Sequence, residues 1–219
     1  MLDPDFHITS PRLQLWYLNP SNDAHMSMYA ALQNSPEILA VRALSGTPAP
    51  SKPITVADAR ASLVKRTEKL AKTGCGRYII SLRDDNNTSP TTSQDTEEKE
   101  FIGYVSMQWQ RYPDLPCPKI PDLGFSLLAK YYGKGYANEA CEALMGYFRE
   151  TKGQERFAGY THPDNVSSQK LFKRLGFVYR GIVDVAGVVG DGTPIRSAVW
   201  VKGVGDETDL EELGIGPGR

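Results

Sequence analysis

In the stretch Tyr131-Tyr132-Gly133-Lys134-Gly135-Tyr136-Ala137-Asn138-Glu139-Ala140, two glycines stand one residue apart where a strand pattern hands over to a helix pattern. Glycine at such a junction lets the backbone turn sharply and lets a bulky anion approach the amides. The helix start adds unpaired N–H groups and roughly half a positive charge. Together these features predict an anion site suited to phosphate or pyrophosphate. A helix entrance with turn glycines and nothing bound is the plainer alternative, and an isolated pair of glycines would favour it.

The flanks give the pair its context. Residues 120–128 read as a strand, and residues 134–150 as a helix whose apolar face runs Ala137, Ala140, Cys141, Leu144, Met145 and Phe148. Residues 157–161 read as a second strand, so the segment predicts a βαβ unit with parallel strands and a right-handed crossover. A helix follows over 166–175, ended by Gly176, then two closing strands over 178–185 and 195–201. Upstream, the pattern predicts a strand over 12–17, a helix over 22–33, a loop over 43–53 bracketed by prolines, and a helix over 55–72 capped by Thr55. A hairpin pairs 77–82 with 101–109; the nearly all-polar residues 84–99 between them read as a flexible insertion. The Gly- and acid-rich residues 203–219 read as a peripheral tail on a single domain spanning 1–219.

Two common phosphate signatures fail. Walker A needs Ser or Thr after its Lys, and Lys134 is followed by Gly135; the dinucleotide fingerprint needs a third glycine where Asn138 stands. A second segment accompanies the glycines, Asn165-Val166-Ser167-Ser168-Gln169-Lys170-Leu171-Phe172-Lys173-Arg174-Leu175-Gly176-Phe177. The pair resembles the GNAT superfamily of acyl-CoA-dependent N-acetyltransferases. The first segment is similar to its pyrophosphate loop in loose form, and the second to its Asn-x-x-(Ala/Ser)-x-x-Leu-(Tyr/Leu)-x-x-x-Gly-Phe helix. Asp122-Leu123-Gly124-Phe125-Ser126-Leu127 looks like the family's central strand, and Phe101-Ile102-Gly103-Tyr104-Val105 is similar to its third. The resemblance covers roughly residues 10 to 202, with the ribosomal-protein alanine acetyltransferase branch nearest in flavour.

The resemblance implies an α/β (α+β) fold, a mixed sheet of about six to seven strands with a parallel, splayed pair in the middle and flanking helices. It also implies a cosubstrate and a set of site residues. Acetyl-CoA would be the cosubstrate, with no metal. Phe125, Ser126 and Leu127 would face the pantetheine arm, and an amide at Leu127 or Leu128 would stabilise the oxyanion as an amine attacks directly. Tyr132, Gly133, Lys134, Gly135, Tyr136 and Ala137 would hold the pyrophosphate, and Asn165 the coenzyme arm. Tyr132 stands where the family often has Arg or Gln. Phe172 stands where many members carry a Tyr that protonates the departing thiolate, and Ser168 is the candidate replacement.

Each of these residues has a structural alternative. Asn165 is also a good helix N-cap, Ser168 a first-turn serine, and Cys141 a small core residue. Asp122 and Asp164 are candidate bases and His162 a candidate proton relay, although all three suit turn or surface roles. A lysine side chain starts near pKa ~10.4 and an α-amine near ~8, so an α-amine needs less help to lose its proton. The acceptor is therefore read as a protein N-terminal α-amine or a small-molecule amine, chosen by residues 39–55, Gln108, Trp109 and the final turn. The alternative is a binding module that holds an acyl-CoA without turnover.

Composition narrows the classes further. With 25 basic and 26 acidic residues the net charge is −1, against the basic footprint that nucleic acid demands. No apolar run approaches the ~20 residues of a membrane span, and no leader pattern opens the chain. Cys75, Cys117 and Cys141 are scattered, which predicts neither a disulfide framework nor a zinc site and suits a reducing cytoplasm. The expected assembly is a monomer or homodimer.

Overall fold

The computed structural model describes residues 2–44, 49–83, 99–112, 114–189 and 192–218. The strands are β1 (His7–Thr9), β2 (Leu13–Tyr17), β3 (Gly76–Leu82), β4 (Phe101–Gln108), β5 (Asp122–Leu127), β6 (Phe157–Thr161), β7 (Val178–Val185) and β8 (Ile195–Lys202). The helices are α1 (Asp23–Gln33), α2 (Pro36–Leu44), α3 (Val56–Thr73), α4 (Tyr136–Lys152) and α5 (Val166–Arg174). The strands hydrogen-bond in the order β1-β2-β3-β4-β5-β6-β8-β7. The expected parallel pair is present: β5 and β6 run parallel, in register at Asp122 and Ala158. Strands β6–β8 and β7–β8 are antiparallel. Among the described residues eight strands are found where six to seven were expected, because the three-residue β1 is too short to carry a period-2 signal.

By its internal contacts the chain forms two compact units. One comprises Met1–Leu39, Ala49–Ser106 and Phe125–Tyr147. Its core gathers Met26, Tyr29 and Leu32 of α1 with Ala59 and Leu63 of α3 and Ile79 of β3. Helix α3 starts as its sequence dictates: Thr55 Oγ1 accepts from the Asp58 N–H at 3.1 Å, and the Thr55 N–H donates back to Asp58 Oδ2 at 3.0 Å. That reciprocal cap satisfies two donors the helix would leave unpaired. Helix α2 corrects the loop expected from residue 43. Pro36 opens the helix instead of excluding it, since the first helical position needs no N–H. Residues 45–48 of that loop, and 84–98 of the polar insertion, lie outside the described residues.

The other unit comprises Ala40–Pro48, Met107–Gly124 and Phe148–Arg219. Its core contains Ile120, Ala158, Val185, Val199 and Val201, together with Leu213 and Ile215 of the C-terminal tail. The tail is thus not peripheral. Leu213 and Ile215 are buried, the Lys119 N–H donates to Leu213 O at 2.8 Å, and the Ala186 N–H donates to Gly216 O at 2.8 Å. Two apolar residues around one glycine are too brief a pattern to register as an element. Among the described residues, no helix is long and apolar enough to cross a membrane.

Candidate functional site

The glycine loop lies in the first unit. A short 3-10 turn, Ala129–Tyr131, leaves β5, and helix α4 begins at Tyr136, two residues later than expected. The delay has a backbone cause. Gly133 and Gly135 take φ +74° and +81°, left-handed values that exclude a helix through position 135 and that other residues adopt only with strain. The first hydrogen bond of α4 runs from the Glu139 N–H to Gly135 O at 3.1 Å. The N–H groups of Gly135, Tyr136, Ala137 and Asn138 precede it and have no acceptor within the helix. Tyr132 differs from its neighbours: its N–H already donates to Ala129 O at 3.0 Å, so only its half-exposed side chain is left for a ligand.

Behind the loop stands a group that the sequence motifs did not single out. The Arg12 N–H donates to Glu139 Oε1 and its Nε to Glu139 Oε2, both at 2.7 Å. Arg12 Nη1 donates to Lys134 O at 3.1 Å, and the guanidinium lies 4.7 Å from the Tyr136 ring centroid. Ser10 Oγ donates to Glu139 Oε1 at 2.7 Å. Arg12 is about 120 residues from these partners in sequence, beyond the reach of any local pattern.

Strand β5 delivers the other expected groups. The Leu128 N–H donates to Ile102 O at 2.9 Å, which removes Leu128 as an oxyanion donor. Successive amides of a strand face opposite edges, so the Leu127 N–H points to the edge away from β4. Gly103 lets β4 come close there: a Cβ at this position would fall 2.2 Å from Ser126 O. Phe125 and Ser126 are half-buried, and Leu127 is buried.

The second unit holds the remaining candidates apart from Cys141. Asn165 caps α5, its Oδ1 accepting from the Ser168 N–H at 3.2 Å, and Ser168 is half-buried in the first turn. Phe172 is buried, 5.2 Å from the Phe177 ring and stacked on Trp200 at 6.2 Å. It faces Gly159, where any Cβ would strike its ring. His162 Nδ1 accepts from the Asp164 N–H at 3.2 Å, and the Asn165 N–H donates to His162 O, so this trio builds the turn ahead of α5. Asp122 does not stand as an open base. Arg111 engages both its carboxylate oxygens, and the Asp122 side chain is 7 % exposed. Close by, burial raises the Tyr160 hydroxyl far above its ordinary pKa, and the Asp122 charge adds to the effect. Cys141, in α4, is fully buried, and burial likewise pushes its thiol up, so it packs and does not react. Among the described residues no group of three or more His, Cys, Asp or Glu could hold a metal ion.

Residues 12–178 match the model of the acetyltransferase (GNAT) domain family. A ribosomal-protein-serine acetyltransferase of Escherichia coli K12 is 26 % identical over 95 residues, 43 % of this chain and 51 % of that protein. The match thus spans about half the length of this relative. Among solved structures, a ribosomal-protein-S5-alanine acetyltransferase from Vibrio fischeri superposes with TM-score 0.62 at 20 % identity, over 93 % of this chain and 99 % of that one. A microcin C7 self-immunity acetyltransferase, solved with acetyl-CoA and AMP, gives TM-score 0.63 at 16 % identity, over 89 % and 94 %. At these identities the superpositions establish a shared fold.

Proposed function

Since the chain belongs to the GNAT acetyltransferase family, we propose that it moves an acetyl group from acetyl-CoA to an amine by direct attack, without a covalent enzyme intermediate. The observation that carries the reading is the left-handed pair Gly133 and Gly135 together with the four N–H groups, Gly135 to Asn138, that have no helical acceptor. Such a cradle suits a diphosphate, because aligned amides and the helix dipole both favour negative charge. Neither glycine brings a Cβ into the approach.

Each residue then has a task. Amides of Gly133, Lys134, Gly135, Tyr136 and Ala137 hold the diphosphate, and the backbone of Phe125 to Leu127 aligns the pantetheine arm. The Leu127 N–H donates to the thioester carbonyl oxygen as negative charge develops there, a contact worth roughly 3 kcal/mol in comparable sites. Asn165 offers its amide NH2 to the coenzyme arm, because the cap occupies only Oδ1. The Ser168 hydroxyl is the proton donor for the departing thiolate, since Phe172 has no proton to give. With Asp122 tied to Arg111, no carboxylate is assigned as base, and the amine deprotonates to solvent or through water. That chemistry favours an α-amine or another amine of modest pKa. Relatives named for acetylating ribosomal proteins support a protein amine among the acceptors. None of the three cysteines forms a disulfide, which suits the reducing cytoplasm as its setting.

Acetyl-CoA at millimolar concentration is expected to raise the melting temperature, and an amine panel to release free CoA thiol. Gly135→Val is expected to remove the shift, since position 135 is left-handed and a Cβ there meets Arg12 Nη2 at 3.3 Å. A wild-type protein indifferent to acetyl-CoA overturns the reading. A thermal shift without thiol release leaves a binding module.

A further inference from the structure

We propose that Arg12 is a positioning residue for the diphosphate cradle, acting by neutralising Glu139 and holding the Lys134 carbonyl; this rests on the coenzyme reading above. Glu139 is the acidic residue in the first turn of α4. Its carboxylate therefore sits at the helix end whose free amides are assigned to the diphosphate. Left bare, it would be the anion that this helix end attracts, and it would repel a second one. Arg12 cancels it with a forked contact, Nε and Nη2 to Oε2 at 2.7 Å each, while the Arg12 N–H and Ser10 Oγ secure Oε1. The remaining Nη1 reaches Lys134 O at 3.1 Å. That contact ties down the carbonyl between the two left-handed glycines, so the loop amides face outward in one arrangement. The guanidinium also lies against the Tyr136 ring at the first residue of α4. A single side chain thus sets both the charge and the orientation of the cradle. Lysine could supply the charge but not the planar fork.

The test compares coenzyme A with pantetheine, which lacks the diphosphate, by calorimetry and ligand-observed NMR. Arg12→Gln is expected to raise the coenzyme A dissociation constant by about 10- to 100-fold, the range for losing charge-assisted hydrogen bonds. Pantetheine affinity is expected to stay within about twofold, because its contacts lie away from the loop. Adding Glu139→Gln to Arg12→Gln removes the uncovered charge and is expected to recover part of the loss. Arg12→Lys, the variant safest for folding, is expected to fall between wild type and Arg12→Gln. Equal losses for both ligands would mean that Arg12 only supports the fold, and unchanged coenzyme A affinity would mean that it does nothing at the loop; either overturns the proposal. Wild type that binds no coenzyme A would instead sink the coenzyme reading itself.

Discussion

Asp122 opens β5 with both carboxylate oxygens against the Arg111 guanidinium, whose side chain is itself 31 % exposed. Removing the carboxylate charge strands a guanidinium that is partly exposed, at a cost below the ~3–5 kcal/mol of a fully buried pair. Asp122→Asn is therefore expected to lower the urea midpoint strongly, with any loss of turnover following the loss of folded protein. If the variant were fully stable but inactive, Asp122 would return as the base. Nothing at position 122 in the sequence announces this pair. Arg111 lies in the connection between β4 and β5, and its approach depends on how that connection folds. Cys141 was more legible, because apolar spacing already put it on the inner face of its helix, and its complete burial agrees.

At the scale of the element, α4 shows how a cap can depend on distant chain. Burial pushes the Glu139 carboxyl up, but the Ser10 hydroxyl, the Arg12 N–H and the Arg12 guanidinium outweigh it, so its pKa lies below the ordinary 4.5. The unfolded chain therefore binds this proton more readily than the folded one. Its contribution to stability is complete above about pH 4.5 and disappears as pH falls through the lower folded value. Between pH 6 and pH 3, wild type is expected to lose more melting temperature than Glu139→Gln, measured by circular dichroism. Equal acid sensitivity of the two proteins would contradict this. The start of α3 and both ends of α5 were readable from Thr55, Asn165 and Gly176, because caps act within a few residues. The start of α4 was misplaced by two residues, because a periodic apolar face says nothing about the φ angle at Gly135.

At the scale of the whole molecule, the C-terminal tail is the clearest departure from expectation. Burying a Leu or Ile contributes about 1.5–3 kcal/mol, so deleting residues 206–219 with Leu213 and Ile215 is expected to cost about 3–6 kcal/mol. A clear fall in the denaturation midpoint checks this, and an unchanged midpoint would restore the tail to the periphery. By itself the sequence determined most of the element order, the parallel β5–β6 pair and the glycine loop before α4. All of these arise from periodicity, caps and turn chemistry, which operate over one to four residues. Tertiary structure decided that Arg12 backs the loop, that Arg111 occupies Asp122, that Leu128 is spent on Ile102, and that the tail completes a core. Those outcomes are contacts between residues far apart or differently oriented in the chain. Local propensity carries no information about them, because each forms only when the backbone brings both partners to one place.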